Sequence, residues 1–206
     1  MVLLRFLQPL FKFMASQKFR IAVFASGSGT NAEEIFKHFK KHRDIEVVLL
    51  MTNNPNAFAI QRAKNHHIKA VIFNREQYRD GQFIQKHLKD SGVTHIVLAG
   101  FLRLIPDYLL DAFPDRIVNI HPALLPNYGG KGMYGAKVHE AVKAAGDVET
   151  GITIHLVNSN YDEGRVLFQA RCPISPDHSH DEIAASVHKL EHEHYPKVIE
   201  HWVLTG

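Results

Sequence analysis

The sequence predicts an α/β fold in which a mostly parallel, doubly wound sheet carries helices on both faces. Three observations predict it. Short apolar runs alternate with segments of helical period, a glycine-rich turn follows the first apolar run, and the last third of the chain changes to strand-like alternation. Strands that are apolar along their whole length are typical of a parallel sheet covered on both sides.

The first half of the chain consists of strand and helix units in alternation. An apolar strand over 20–25 ends in a glycine-rich loop, and the spacing of Ile35, Phe36 and Phe39 predicts a helix over 32–42. The same reasoning predicts, in order, a strand over 45–51, a helix over 57–65, a strand over 68–73, a helix over 75–89 and a strand over 95–98.

The second half begins like the first and ends differently. A strand over 116–120 precedes a glycine-rich loop, and a helix over 135–145 ends at Gly146. Strand-like runs over 150–158 and 166–174, the turn-rich connection 158–164 and a helix over 181–201, with Ser179 or His180 near its cap, complete the chain. We therefore expect a hairpin-like extension of the sheet and a C-terminal helix.

Composition limits the class of protein. The 206 residues, 45% hydrophobic and 22% charged, are enough for one large globular domain. A net charge of +3 from scattered basic residues gives no support for a nucleic-acid track. The single cysteine, Cys172, excludes an intramolecular disulfide and a Cys-rich metal site, which suits a reducing, cytoplasmic location.

The amino-terminal segment is interpreted separately from the domain. Residues 1–18 are apolar with basic residues, but Pro9 and Lys12 interrupt a run that is far shorter than the roughly 20 residues of a membrane span. We interpret residues 1–18 as a leader, with Met14 as an alternative start, and residues 19–206 as one domain that does not enter a membrane.

The first loop has the features of a phosphate site. Its glycines allow a tight turn, and the helix that follows favours an anion at its positive end. The loop consists of Gly27, Ser28, Gly29, Thr30 and Asn31. A nicotinamide site expects an acidic residue after the second strand, where this chain has 52–54 as Thr-Asn-Asn, and the Walker lysine is absent. We expect a monophosphate here; the alternative is a turn that only packs helix on strand.

A second group of residues indicates acyl transfer. Asn119 and His121 are two apart at the end of an apolar strand, so they share a face, and prolines follow them. Asp162 lies in another loop between two strands and can approach them. An amide, an imidazole and a carboxylate suffice to polarise a carbonyl, stabilise an oxyanion and accept the proton of an attacking amine. The alternative is that Asn119 fixes a turn and His121 is structural.

The histidines of the last helix and the apolar segment 98–106 each have two possible interpretations. His188 and His192 are four apart on the last helix, but the zinc-hydrolase order is absent, so we expect no metal and interpret the remaining histidines as solvated. The apolar segment 98–106 continues past the point where its strand should end. It indicates either core or an apolar wall for a flat aromatic ligand.

Five motifs, in this order along the chain, resemble those of folate-dependent phosphoribosylglycinamide formyltransferases. They are the segments 24–31 (FASGSGTN), 98–103 (LAGFLR), 119–126 (NIHPALLP), 151–155 (GITIH) and 162–164 (DEG). The resemblance runs from about Arg20 to about Trp202 and implies a Rossmann-like sheet with a folate cleft near its carboxyl end.

The resemblance implies transfer of a formyl group from the co-substrate 10-formyltetrahydrofolate to the amine of 5'-phosphoribosylglycinamide, without a metal, by a monomer or homodimer that acts on small molecules. The catalytic residues that it implies are Asn119, His121 and Asp162. Loop 27–31 would hold the substrate phosphate, and Glu191 would contact the ribonucleotide. The folate site would be lined by Arg75, Leu102, Arg103, Leu104, Ile105 and Asn119.

The chain departs from the commoner family pattern at two places. Residues 127–134 replace a proline-containing loop, and Glu163 stands where glycine is frequent, where it would raise the pKa of Asp162 if the two were close. The chain length favours phosphoribosylglycinamide over tRNA as the acceptor. The alternatives are another enzyme that uses formyltetrahydrofolate, a hydrolase included, and a non-catalytic protein that binds a phosphate ligand.

Overall fold

The computed structural model describes residues 18–206, so the predicted leader lies outside the described residues except for Lys18. Seven strands form one sheet in the order β3-β2-β1-β4-β5-β6-β7. The elements are β1 (Phe19–Phe24), α1 (Thr30–Phe39), β2 (Ile45–Thr52), α2 (Ala59–Asn65), β3 (Lys69–Ile72), α3 (Arg75–Asp80), α4 (Gln82–Asp90), β4 (His95–Leu98), α5 (Asp107–Ala112), β5 (Ile117–His121), α6 (Ala136–Ala145), β6 (Glu149–Leu156), β7 (Val166–Pro173) and α7 (His180–Thr205).

The sheet is covered on both faces, as predicted. Strands β1 to β5 pair in parallel, and alternate residues of β1 enter different cores. Ile21 and Val23 pack with α1, α2 and α7, whereas Ala22 and Phe24 pack with α4 and α5. This Rossmann-like α/β arrangement confirms the predicted fold class.

The predicted extension of the sheet is also confirmed. Strand β6 pairs antiparallel with both β5 and β7. Every residue from Thr150 to Leu156 is buried, because β6 is an inner strand. In the β5–β6 ladder Asn119 stands opposite His155. The register of the ladder therefore brings these two polar side chains together.

The predicted helix over 75–89 is wrong in one respect, because it is two helices. Gly81 ends α3 and precedes α4 with a φ of 81°, a conformation that favours glycine. The ring of Tyr108 from α5 lies where a side chain at Gly81 would be, with the nearest ring carbon 2.8 Å from the Cβ position. Helix α5 itself was not predicted.

Helix α7, at the C-terminal end of the chain, packs against the middle of the sheet. It begins with a capping box in which Ser179 and Glu182 satisfy each other's backbone N–H groups, and it continues through Pro196. The fully buried Tyr195 hydroxyl donates to the carbonyl oxygens of Leu98 (2.8 Å) and Val118 (3.3 Å). No helix within residues 18–206 has the length and apolar character needed to cross a bilayer.

Candidate active site

A cavity of about 470 Å³ opens at the carboxyl ends of β1, β4 and β5. This is the edge at which open α/β sheets bind ligands. Its walls include three segments that were predicted from the sequence to take part in the site, namely 27–31, 98–105 and 119–122. Asp162 and Glu191 also line it. The structure therefore brings together all but one of the predicted site residues, and the exception is Arg75.

The glycine loop lines the cavity. Gly29 is left-handed (φ 71°), and a side chain there would lie 2.6 Å from the Cβ atom of Ala59, so this turn requires glycine. Helix α1 begins at Thr30 and directs its amino terminus to the loop. The Oδ1 atom of Asn31 is buried and has no partner among the described residues. A ligand with hydrogen-bond donors would satisfy it.

Asn119 lies within β5, and its amide is held by a histidine from the neighbouring strand. The Asn119 Nδ2 atom is 3.2 Å from Nε2 of His155. His155 Nδ1 lies 2.8 Å from the carbonyl oxygen of Leu156, which accepts its hydrogen. Nε2 of His155 is thus within reach of both the Asn119 amide and, at 3.6 Å, Oδ1 of Asp162.

His121 is the last residue of β5 and is nearly buried, with 4% of its side chain exposed. Its Nε2 atom donates to the carbonyl oxygen of Tyr128 at 2.8 Å, and its Nδ1 atom lies 3.5 Å from Oδ2 of Asp162. Burial lowers the pKa of His121, while Asp162 and the Tyr128 carbonyl oppose this effect.

Asp162 faces both imidazoles from the turn between β6 and β7. Its Oδ2 atom accepts from the Gly130 N–H at 2.9 Å, and its Oδ1 atom lies 3.6 Å from Nε2 of His155. Burial acts to raise its pKa, but His155, His121 and the Gly130 N–H together outweigh burial and lower it. Asp162 is therefore a carboxylate at neutral pH.

The expected effect of Glu163 on Asp162 depended on the two carboxylates being close. The pKa of Asp162 is lowered, and the factors that act on it are burial, His155, His121 and the Gly130 N–H. Glu163 is exposed and its carboxylate accepts from Nδ2 of Asn160 at 2.7 Å. The charge of Glu163 is thus directed to solvent and away from Asp162.

The predicted apolar wall is present in the cavity. Leu102 and Leu104 line the cavity with about half of their surface exposed (52% and 40%), while Ile105 is buried. The Tyr78 hydroxyl donates to the Leu104 carbonyl at 2.9 Å and so holds this segment against α3. Arg103 lines the same wall. The segment is thus both core and cavity wall.

The structure places Arg75 elsewhere. It is exposed at the first position of α3 and does not line the cavity. The geometry gives its predicted folate contact no support.

Glu191 from α7 lies beside the glycine loop and is 4% exposed. Its carboxylate accepts from Nδ2 of Asn31 at 3.0 Å and from Nδ1 of His188 at 2.7 Å. The bond to Glu191 raises the pKa of His188. These contacts satisfy a buried carboxylate and turn it to the cavity.

Three histidines of the site were given no role in it from the sequence. His188 was considered only as a metal ligand, His155 appeared only within the motif 151–155, and His139 was among those interpreted as solvated. His139 and His155 are buried and line the cavity, and the exposed His188 also lines it. Burial lowers the pKa of His139, and its Nδ1 atom has no partner within residues 18–206. The helical period of α6 could have indicated His139, since Val138 and Val142 of the same helix are also buried. No group of three or more His, Cys, Asp or Glu among the described residues is arranged to hold a metal ion.

The comparison with protein families gives the class of protein. Residues 19–199 match the family described as formyl transferase. This match spans the glycine loop, Asn119, His121, Asp162 and Glu191.

Individual relatives narrow the class. Phosphoribosylglycinamide formyltransferase of Bacillus subtilis is 38% identical over 88% of this chain and 93% of its own length. The chloroplastic enzyme of Arabidopsis thaliana is 39% identical, and this chain spans 64% of it. The crystal structure of glycinamide ribonucleotide transformylase 1 from Geobacillus kaustophilus superimposes with a TM-score of 0.82 at 37% identity, covering 92% of this chain and all of that one. The chain belongs to the phosphoribosylglycinamide formyltransferases, which confirms the resemblance stated from its motifs.

Proposed function

We propose that this protein transfers the formyl group of 10-formyltetrahydrofolate to the amine of 5'-phosphoribosylglycinamide. One observation carries the proposal: Asn119, His121 and Asp162 lie on the wall of a single cavity that is also lined by the glycine loop and by the apolar segment 102–105. Such a cavity suits a phosphorylated acceptor and a flat donor that meet at the three polar groups. The names of the relatives support this assignment.

The reaction needs no covalent enzyme intermediate. The amine nitrogen attacks the formyl carbon, and the carbonyl electron pair moves to oxygen to give a tetrahedral intermediate. In our assignment, the Asn119 amide polarises the carbonyl and His121 stabilises the oxyanion, while Asp162, ionised at neutral pH, accepts the proton of the amine. The oxyanion then re-forms the carbonyl as the carbon–N10 bond breaks, the proton taken up by Asp162 passes to N10, and tetrahydrofolate leaves.

The remaining residues bind the two substrates. We assign the phosphate to residues 27–31 and the ribonucleotide contact to Glu191, whose carboxylate is already held by Asn31. We assign the pterin-bearing donor to Leu102, Arg103, Leu104 and Ile105. Residues 19–206 act in this proposal as one domain, without a metal, and the absence of a possible intramolecular disulfide supports a cytoplasmic location.

The test is turnover of purified protein, followed by absorbance with a stable dideaza analogue of the donor. Consumption of the donor only when phosphoribosylglycinamide is present is the expected result, and formylated ribonucleotide should appear in equal amount. Consumption without the ribonucleotide would instead indicate a hydrolase. His121→Ala protein is the matched control and should consume little donor in either mixture. No consumption by the parent protein in either mixture would contradict an enzymatic role.

A further inference from the structure

Tyr128 is in contact with the proposed catalytic residues through its backbone and with the surrounding fold through its side chain. Its carbonyl oxygen accepts from Nε2 of His121 at 2.8 Å. Two residues later, the N–H of Gly130 donates to Asp162 at 2.9 Å. One corner of the chain, residues 128–130, therefore contacts both the imidazole and the carboxylate.

The side chain of Tyr128 fixes this corner. Its hydroxyl donates to Oδ2 of Asp147 at 2.6 Å, and that bond raises the pKa of Tyr128. Its ring packs on a small core formed by Val142, Ile174 and Ile183, which come from α6, the segment after β7, and α7. The backbone of Tyr128 has a φ of 57°, which is uncommon for a residue with a side chain. Such a conformation persists only where the surroundings hold it in place.

We propose that Tyr128 is a positioning residue, which holds His121 in the orientation that turns Nδ1 to Asp162, and that Asp147 in turn holds Tyr128. A carbonyl can only accept, so the Tyr128 carbonyl requires a hydrogen on Nε2. Nδ1 is then the atom that gains or loses the second proton beside Asp162. This proposal rests on the proposed function where it is tested by enzyme kinetics. The test by NMR spectroscopy of His121 does not depend on that function.

The first variant is Tyr128→Phe, which removes the hydroxyl and keeps the ring in its core. Freed from Asp147, the corner should contact His121 less tightly. We expect a fall in kcat of about tenfold, the effect of losing one hydrogen bond, with both KM values within about twofold of the parent. A purely structural role would lower thermal stability and the amount of active protein without altering His121.

The discriminating readout is the nitrogen NMR spectrum of the His121 imidazole across pH. Asp162 and Glu191 favour the imidazolium, His155 and His139 oppose it, and the variant leaves all four in place. Since the Tyr128 carbonyl raises the pKa of His121, loosening it should move the His121 titration to lower pH. The Nε2–H form should also lose population.

Asp147 supplies the second arm of the test. Asp147→Asn keeps an acceptor and should resemble the parent, whereas Asp147→Ala should resemble Tyr128→Phe. The double variant Tyr128→Phe/Asp147→Ala should be no worse than either single variant, because the two remove the same contact. Ser186→Ala, which removes a hydroxyl bonded to the Glu182 carbonyl and does not alter the lining of the cavity, is the control and should leave the His121 spectrum unchanged.

Parental kcat together with a parental His121 spectrum in Tyr128→Phe would overturn the proposal. So would additive losses in the double variant. If the parent protein shows no turnover, the proposed function fails while the His121 titration still decides whether Tyr128 positions the ring.

Discussion

Asp162 is the residue on which the electrostatics of the site depend, because it lies within 3.6 Å of one ring nitrogen of each of two histidines. It is ionised at neutral pH and raises the pKa of His121 against the effect of burial. The carboxylate thus acts on the charge of the imidazole, and in the proposed mechanism it also accepts the proton of the amine.

Replacing this carboxylate should change both properties. In Asp162→Asn we expect turnover to fall by about a thousandfold or more, since a proton acceptor and a charge are lost together. The pKa of His121 should fall further, because burial then acts without an opposing carboxylate. Turnover and an NMR titration of His121 measure the two effects, and a His121 titration at parental pH would contradict this account.

The other two catalytic assignments give parallel expectations. Asn119→Ala and His121→Ala should each lose about a hundredfold to ten-thousandfold in kcat while the protein remains folded by circular dichroism. Glu163→Gln is the matched control near the site, because Glu163 bonds only to Asn160 and is exposed. Its pH–rate profile should coincide with that of the parent.

At the scale of elements, the break between α3 and α4 links local conformation to the apolar wall. Gly81 lies against the ring of Tyr108, Tyr108 donates to the Tyr78 carbonyl, and Tyr78 donates to the Leu104 carbonyl. This chain of contacts leads from a glycine in the backbone to the segment that we assign to the formyl donor.

Gly81→Ala should therefore affect stability and donor binding together. The positive φ alone costs about 1 kcal/mol, and overlap with the Tyr108 ring adds roughly 1–3 kcal/mol. Gly146→Ala is the control, since Gly146 also has a positive φ (71°) at a helix end but has open space around it. Urea unfolding should show the larger loss for Gly81→Ala, accompanied by a raised KM for the donor. Equal losses in the two variants would argue against the ring contact.

Sequence patterns predicted some elements and contacts of this fold and missed others. Apolar runs predicted β4 as 95–98, and the cap signal at Ser179 located the start of α7. The split at Gly81 was missed because a single glycine inside a helical pattern is also compatible with one continuous helix. His155 was missed as a partner of Asn119 because only the β5–β6 register places the two together. Tyr128 reaches His121 through its carbonyl oxygen, an atom that every residue has.

At the scale of the whole molecule, a buried histidine links stability to pH. His95 is 7% exposed and packs between Phe19 and Trp202, and burial lowers its pKa to about 4. The unfolded chain, in which the pKa is 6.5, binds this proton more readily, so stability is present above pH 6.5 and is lost as pH falls toward 4. The shift corresponds to about 3 kcal/mol.

His95→Phe should remove this dependence while it keeps an aromatic ring in the core. Between pH 6.5 and 4 the free energy of unfolding of the variant should fall less than that of the parent, by about 3 kcal/mol or less. His201→Gln, at an exposed position of α7, is the control and should follow the parent. Identical slopes for His95→Phe and the parent would contradict the assignment.

The pairing of Asn119 with His155 across the β5–β6 ladder has a consequence for how the protein can be altered. Their mutual placement depends on backbone pairing between two inner strands, and the segment 127–134 takes no part in it. That segment can therefore be exchanged for the corresponding one of a relative without displacing the amide from its imidazole. In chimeras of this kind, the pairing of Asn119 with His155 is kept while the contacts of Tyr128 with His121 and of Gly130 with Asp162 are changed, so the effect of each on turnover can be measured separately.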